Sequence, residues 1–160
     1  MKKFISLLDF TSLDIKVLEK ILLWRNNPSI KKWMFTQNDI QLDDHLVFVN
    51  SLKKNTKKKY FAVKKENQYI GVISFSNITK KNVIMGVYKN PEIHGVGKLL
   101  MEQIIDYSFN NLRVEKIYSE VFEENAIALN LYKSFRFKPR NSKIVDKRKV
   151  ICMELVNENG

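Results

Sequence analysis

The sequence is poor in the residues that stabilise secreted and membrane proteins. Cys152 is its single cysteine, which excludes an intramolecular disulfide and a metal site built from several thiolates. No apolar run approaches the roughly 20 residues of a membrane-spanning helix. Asp9 interrupts the apolar residues near the amino terminus before the apolar region of a signal peptide would be complete. We therefore expect a soluble, cytoplasmic protein with no metal and no membrane contact.

Glycine and proline are also scarce, with five and three residues in a chain of 160. The sequence has no internal repeat and no stretch rich in glycine, proline and serine that would link two domains. Because 44% of the residues are hydrophobic, the chain can fill one core. We expect a single domain over residues 1–160.

Acidic side chains are outnumbered, since 17 Asp and Glu stand against 28 Lys and Arg, for a net charge of +11. Such an excess favours an anionic partner, such as nucleic acid, a phosphorylated cofactor or an acidic lipid surface. The lysines are scattered, however, and the densest cluster, KKNTKKK at residues 53–59, lacks the interleaved aromatic side chains of an oligonucleotide-binding groove. Nucleic-acid binding is kept as an alternative, and the favoured prediction has no nucleic-acid partner.

Hydrophobic periodicity predicts a helical first third and a mixed remainder. A strand at residues 4–10 precedes helices at 11–26 and 42–52, with a short helix at 29–35 between them. Period-two patterns then predict strands at 59–65, 69–78 and 82–90, followed by helix 98–111, strand 116–122, helix 125–135 and strand 149–156. With the short helix left out, the order is β-α-α-β-β-β-α-β-α-β. It is typical of a mixed α/β domain with several antiparallel hairpins.

Two of the five glycines lie in NPEIHGVGKLL, residues 90–100, between a predicted strand and a predicted helix. Gly95 and Gly97 let the backbone come close to a ligand there, and the amides and dipole at a helix amino terminus favour negative charge. The turn lacks the Gly-Lys-Ser/Thr of a P-loop and the third glycine of a dinucleotide-binding fingerprint. It predicts a phosphate site of another kind, or an ordinary strand-to-helix turn.

This turn and the later segment NAIALNLYKSFRF together resemble the GNAT acetyltransferase superfamily. HGVGKLL is similar to its pyrophosphate loop, through Gly95 and Gly97, and the later segment is similar to N-x-x-A-x-x-L-Y-x-x-x-G-F. Glu92 and Arg136 depart from these patterns, because the family has Gln or Arg at the first position and glycine at the second. The resemblance implies a single-domain GNAT fold, α/β, with a central mixed and mostly antiparallel sheet flanked by helices.

The resemblance further implies acetyl-CoA as the co-substrate. Residues 59–160 would bind it and the helical residues 1–58 would bind the acceptor. The backbone around residues 85–87 would hold the thioester carbonyl and the pantetheine amides. The residues expected at the cofactor are Met85, Gly86, Val87, His94, Gly95, Val96, Gly97, Lys98 and Asn125.

Acetyl transfer to an amine needs a proton for the leaving thiolate and a base for the amine. Tyr132 is the expected acid, since a phenol with a pKa of about 10 matches a thiolate of similar basicity. Glu120 is the expected base, directly or through water, because strand alternation places it between Tyr118 and Phe122, where desolvation would raise the pKa of its carboxyl. Packing alone for Tyr132, a solvent-facing Glu120, and Glu123 or Glu124 as the base are the alternatives.

The first third of the chain, with WRNNPSIKKWMF and DDHLVF, resembles GNAT branches that acetylate protein amino termini or nucleotide-linked aminosugars. The second resemblance is closer, to the N-acetyltransferases of pseudaminic acid biosynthesis, which supplies a sugar for flagellin glycosylation. It implies a UDP-linked 4-amino-4,6-dideoxy sugar as acceptor, with cations for the diphosphate and apolar walls for uracil and the 6-methyl group. The expected acceptor residues are Arg25, Trp33, Met34, Phe35, His45, Phe48, Lys81 and Tyr88.

Three other functions remain open from the sequence. They are acetylation of a peptide amino terminus, binding of nucleic acid, and an inactive GNAT-like fold that senses acyl-CoA. The oligomeric state is open as well, with a homodimer among the alternatives.

Overall fold

The computed structural model describes residues 4–158, so the first three and last two residues of the predicted domain lie outside the described residues. The strands are β1 Ile5–Asp9, β2 Lys59–Lys65, β3 Gln68–Ser76, β4 Asn82–Lys89, β5 Lys116–Phe122, β6 Lys138–Val145 and β7 Arg148–Val156. The helices are α1 Ile15–Asn26, α2 Pro28–Lys31, α3 Leu42–Ser51, α4 Gly97–Asp106 and α5 Ala126–Ser134. A π-helical turn, Tyr107–Asn111, continues α4.

Within the described residues, the strands form one seven-stranded sheet in the order β1-β2-β3-β4-β5-β7-β6. Strands β4 and β5 run parallel, and the other neighbouring strands run antiparallel. The parallel pair needs a crossover connection, which α4 supplies. This mixed, mostly antiparallel sheet flanked by helices confirms the predicted fold.

The sheet opens between its two parallel strands. Their pairing covers three positions, from Asn82 opposite Lys116 to Ile84 opposite Tyr118, and then ends although both strands continue. The backbone edges of β4 after Ile84 and of β5 after Tyr118 therefore face each other without a shared ladder. A ligand with amide groups can bind in such an opening, because exposed strand edges offer N–H and C=O groups.

Each face of the sheet carries its own apolar core. Helices α1 and α3 cover one face through a cluster that includes Leu18, Ile21, Trp24 and Val49. Helices α4 and α5 cover the opposite face, where Met101 and its neighbours pack on the central strands. Side chains of β4 and β5 alternate between these two faces, so one strand pair lines two different compartments.

The amino-terminal helices start and end differently from the prediction in two places. Asp14 caps α1, because its carboxylate accepts a hydrogen bond from the Val17 amide at 3.0 Å, and Thr11 instead lies in a 3-10 turn. The predicted helix 29–35 shrinks to the four residues of α2. Residues 32–41, named the acceptor segment below, run without a regular helix or strand to α3.

Strand β6 is absent from the predicted order. Its sequence, KPRNSKIV, has no period-two apolar pattern, and all of its residues except the last are exposed. It forms the edge of the sheet and packs no side-chain row into a core, which also explains why Pro139 is tolerated there. A pattern that depends on burial cannot reveal such a strand.

No helix among residues 4–158 combines the length and apolar character needed to cross a membrane. Over the same residues, His, Cys, Asp and Glu side chains form no group of three or more that could hold a metal ion.

Candidate active site

One row of side chains crosses the sheet at the opening between β4 and β5, on the face covered by α1 and α3. The ladder registers align Tyr60, Ser74 and Gly86 on one side of the opening and Glu120 and Cys152 on the other. A Cβ on Gly86 would collide with the hydroxyl of Ser74. Glycine leaves room for the Ser74 hydroxyl here, and it leaves the β4 side of the opening without a side chain in this row.

The predicted glycine turn forms the amino terminus of α4. Gly95 has φ +77°, the left-handed region that favours glycine, and Val96 provides no side-chain cap. The amides of the first helical turn, from Gly97 onwards, have no intrahelical acceptor. His94 and Lys98 flank the turn and are exposed, as is Glu92. The turn can therefore accept an anionic group such as a pyrophosphate.

Asn90 holds this turn in place, and sequence reasoning missed it. Its side chain is buried, donates to the Tyr69 carbonyl at 3.2 Å and accepts from the Glu92 amide at 3.0 Å. The signal was available, since asparagine before proline is a common start of a turn. Asn90 fixes the path of the chain from β4 to the glycines.

Tyr132 lies buried on α5, on the α4 side of the sheet, with its ring centroid 6.0 Å from that of Phe137. Burial raises the pKa of its hydroxyl to about 12, so the phenol stays protonated at neutral pH. Asn125 caps α5, because its side chain accepts from the Ala128 amide at 3.3 Å. The Tyr132 phenol is thus protonated at neutral pH and is carried by a capped helix.

Arg136 follows the carboxyl end of α5, where the family pattern has glycine. Its φ is +72°, its amide donates to the Lys133 carbonyl at 2.9 Å, and the Phe137 amide donates to the Tyr132 carbonyl at 3.1 Å. This pattern is the Schellman motif, which places a left-handed residue just after the helix and favours glycine there. The family pattern has glycine at this position because the backbone there is left-handed. Arginine adopts the same conformation with strain.

We expect Arg136→Gly to raise the free energy of unfolding by about 0.5–1 kcal/mol, because it removes left-handed strain but adds freedom to the unfolded chain. Urea denaturation measures the change. Ser134→Gly, at the last helical residue of α5, is the control and should lower stability. An Arg136→Gly variant no more stable than the wild type would contradict the strain at this position.

Glu120 lies between Tyr118 and Phe122 on the side of α1 and α3, as strand alternation predicts. Its carboxylate forms an ion pair with Lys143, a hydrogen bond that raises the pKa of the lysine, and its side chain is 25% exposed. The Cys152 sulfur lies 4.0 Å from the same carboxylate oxygen. Glu120 thus has the predicted aromatic neighbours, and it also has a cationic partner, Lys143, from β6, a strand that was not predicted.

The two alternative bases at the end of β5 are paired elsewhere. Glu123 forms an ion pair with Lys149 at 3.3 Å, and Glu124 forms one with Arg148 at 3.5 Å. Both carboxylates are more than half exposed. Glu120, which lies in the row of the opening, remains the better placed of the three.

Arg25 lies buried at the end of α1, with Tyr60 and Tyr88 close enough to act on its charge. One guanidinium nitrogen, Nη2, donates to the Thr36 carbonyl at 2.9 Å, and Nη1 is buried without a partner among the described residues. Burial lowers the pKa of Arg25, yet a guanidinium keeps its proton in proteins. A buried cation with a free donor can bind an anionic ligand.

Aromatic side chains line this compartment on both sides of the opening. Over β2 to β4, Phe48 packs edge-on against Tyr60 at 4.9 Å, and burial raises the pKa of Tyr88. Over β5 to β7, Phe35 of the acceptor segment packs edge-on against Phe122 at 5.3 Å. The half-buried Trp33 and Met34 precede Phe35. The hydrogen bond from Arg25 to Thr36 connects the two sides.

Two predicted acceptor residues differ from the prediction, Lys81 in its position and His45 in its charge. Lys81 is exposed in the β3–β4 turn and lies seven residues before Tyr88, about 23 Å away along the strand. His45 is buried edge-on against Phe10 at 6.4 Å, and burial lowers its pKa, so it offers a hydrogen bond but no charge at neutral pH. Lys81 and Tyr88 thus lie at opposite ends of β4 and cannot both contact the same part of the acceptor.

A strand opening, a helix start with free amides and a buried phenol on a following helix are the features that acyl transfer from a coenzyme A thioester would use. Comparison with protein families agrees, since the model of the acetyltransferase (GNAT) family matches residues 18–137. The chain therefore belongs to the GNAT family. This confirms the predicted class, an acetyl-CoA-dependent N-acetyltransferase.

Particular relatives carry the comparison further. The chain is 43% identical over 133 residues to the acetyltransferase PseH of Campylobacter jejuni strain 81-176, covering 83% of this chain and 84% of that protein. The crystal structure of C. jejuni N-acetyltransferase PseH in complex with acetyl coenzyme A has a TM-score of 0.82 and 34% identity, covering 97% of this chain and 100% of that one. Spermidine N-acetyltransferase from Vibrio cholerae, in complex with CoA and spermine, has a TM-score of 0.85 at 22% identity, covers 95% of each chain and shares the fold.

Proposed function

We propose that this protein transfers an acetyl group from acetyl-CoA to the 4-amino group of a UDP-linked 4-amino-4,6-dideoxy-N-acetyl aminosugar, in pseudaminic acid biosynthesis. The similarity to PseH over most of the chain supports the pathway. The observation that carries the acceptor is Arg25, a buried cation with a free donor on the acceptor side of the opening. A nucleotide diphosphate matches that donor, because arginine binds phosphate through paired N–H groups.

The residues on both sides of the opening divide the chemistry between them. Acetyl-CoA supplies an activated acetyl thioester, and the pyrophosphate binds the first-turn amides of α4. The backbone edge of β4 at Met85 and Val87 is free to bind the carbonyl and the pantetheine amides. Tyr132 holds a proton for the leaving sulfur.

The acceptor enters from the opposite face of the sheet. Its amine attacks the thioester carbon directly, the carbon–sulfur bond breaks, and the surplus amine proton leaves to Glu120 or to water. Because Gly86 has no side chain, the amine can approach across the opening from Glu120. Direct attack needs no acetylated enzyme, so Cys152 has no nucleophilic role in this reaction.

Arg25→Ala should raise KM for the UDP-sugar by about tenfold or more and leave KM for acetyl-CoA within about twofold, because a charged hydrogen bond to phosphate is lost. Steady-state kinetics with each substrate varied in turn measures this. Calorimetric titration with UDP alone should show the same loss of affinity.

Asn26→Ala is the matched control. Asn26 also fastens the acceptor segment, through two hydrogen bonds of 2.8 Å to Ile40, but it carries no charge. If Asn26→Ala weakens UDP binding as much as Arg25→Ala, Arg25 acts by holding the segment. Equal effects of Arg25→Ala on both substrates would argue against a nucleotide site at this position.

A further inference from the structure

The acceptor segment, residues 32–41, has no regular secondary structure. Backbone hydrogen bonds tie its start to α2, from the Trp33 amide to the Ile30 carbonyl and from the Met34 amide to the Lys31 carbonyl, both at 3.0 Å, and side-chain contacts hold the rest. Its later half is fastened to α1. Asn26 exchanges two hydrogen bonds of 2.8 Å with Ile40, and Arg25 donates to the Thr36 carbonyl at 2.9 Å. None of these hydrogen bonds reaches the side chains of the aromatic part of the segment, Trp33 to Phe35.

Arg148, more than a hundred residues further along the chain, contacts that aromatic part. Its Nη1 donates to the Lys32 carbonyl at 3.1 Å. Its guanidinium lies 3.7 Å from the ring centroid of Phe122 and 5.7 Å from that of Trp33. Phe122 thus contacts both Arg148 and Phe35, and Arg148 joins the segment to the end of β5. The Lys143 ammonium, 5.8 Å from the Phe35 ring centroid, is a second cation at this wall.

The backbone around Arg148 is defined by a tight hairpin. Val145 pairs with Arg148 across a two-residue turn, and the two central residues, Asp146 and Lys147, both have positive φ, 48° and 65°. Such turns match the twist of the two strands they join. The Glu124 carboxylate, 3.5 Å from Nε, orients the other side of the guanidinium. The tight hairpin and the Glu124 carboxylate thus fix the position of the Arg148 side chain.

We propose that Arg148 is a positioning residue that holds the aromatic wall, Trp33 to Phe35, against β5 and so shapes the acceptor site. It does not act on the reacting atoms. A planar guanidinium can stack on Phe122 and donate to the Lys32 carbonyl at once, whereas the ammonium of lysine has no flat face to stack. The proposal rests on the acceptor side assigned above, but not on the identity of the acceptor.

The test uses Arg148→Ala and Arg148→Lys, with Lys149→Ala as the control. Lys149 is the neighbouring cation, and its side chain pairs with Glu123 at 3.3 Å. Acrylamide quenching of tryptophan fluorescence, measured without substrates, reports on Trp33, because Trp24 is 4% exposed and protected in the core. Steady-state kinetics uses whichever amine the wild-type enzyme acetylates, and circular dichroism verifies folding.

Arg148→Ala should increase the quenching constant about twofold and raise KM for the acceptor about tenfold, with kcat and KM for acetyl-CoA within about twofold of wild type. Arg148→Lys should resemble Arg148→Ala, and Lys149→Ala should resemble the wild type. Unchanged quenching in Arg148→Ala, or full rescue by lysine, overturns the proposal. So does an equal loss in Lys149→Ala, which would mean that charge alone matters.

If Arg148→Ala fails to fold, the lysine variant decides by the same criteria. The quenching arm involves no acceptor, so it stands or fails separately from the proposed sugar substrate. Acetylation of a different amine would overturn the proposed function while leaving the test of Arg148 intact.

Discussion

Tyr132→Phe should lower kcat by about 10²-fold or more while leaving the affinity for acetyl-CoA nearly unchanged, because positioned acids typically contribute that much. The phenol is buried and loses only its hydroxyl in this variant, so packing against Phe137 is kept. Stopped assays of thiol release measure kcat, and calorimetric titration measures acetyl-CoA binding.

Tyr107→Phe is the matched control, since it makes the same chemical change in a ring packed against Phe61 and Phe75, outside the opening. It should leave kcat unchanged.

The pH dependence adds a check. Because burial raises the pKa of Tyr132 to about 12, the folded enzyme holds this proton until the pH approaches that value, and Tyr132 should cause no loss of rate at neutral or mildly alkaline pH. A Tyr132→Phe variant with the wild-type rate would remove Tyr132 as the acid.

Gly97→Glu should reduce acetyl-CoA affinity by about 10²-fold or more. A carboxylate in the first turn of α4 competes with the pyrophosphate for the same amides and repels it. A Cβ at this position would lie 3.1 Å from Leu131 Cδ2 of α5, so the Leu131 side chain must also give by a few tenths of an ångström. Calorimetric titration with acetyl-CoA measures the loss.

Gly97→Gln separates charge from crowding at this turn, because it has the same size and no charge. We expect it to bind acetyl-CoA much more tightly than Gly97→Glu. If the two variants bind equally weakly, crowding against Leu131 explains the effect. If Gly97→Glu binds acetyl-CoA normally, the turn has a structural role alone and the pyrophosphate lies elsewhere.

Much of the fold can be predicted from the sequence because buried apolar residues recur with the period of the helix or strand that they belong to. Strand β5 was predicted at the residues where it lies, and its alternation placed Glu120 with Tyr118 and Phe122 on one face. The glycine turn was also predictable, since Gly95 requires a conformation that other residues avoid.

Contacts between distant parts of the chain could not be predicted in the same way. Strand β6 is an exposed edge with no apolar period, so Lys143 and its ion pair with Glu120 were missed. Arg148 contacts Lys32 across 116 positions, which no local pattern reveals. Lys81 was predicted as an acceptor residue together with Tyr88, although the seven residues between them span the length of β4.

In the proposed function, the opening joins an acetyl-CoA site to a nucleotide-sugar site, and thiol release from acetyl-CoA reports on both sites at once. Purified protein receives acetyl-CoA with a UDP-4-amino-4,6-dideoxy sugar or, in parallel, with a set of peptides that have free amino termini, and thiol release is followed. We expect release with the sugar alone, and none with the peptides. Release with peptides alone would contradict the acceptor assignment while keeping Tyr132 as the acid, and release with neither would contradict catalysis of either reaction.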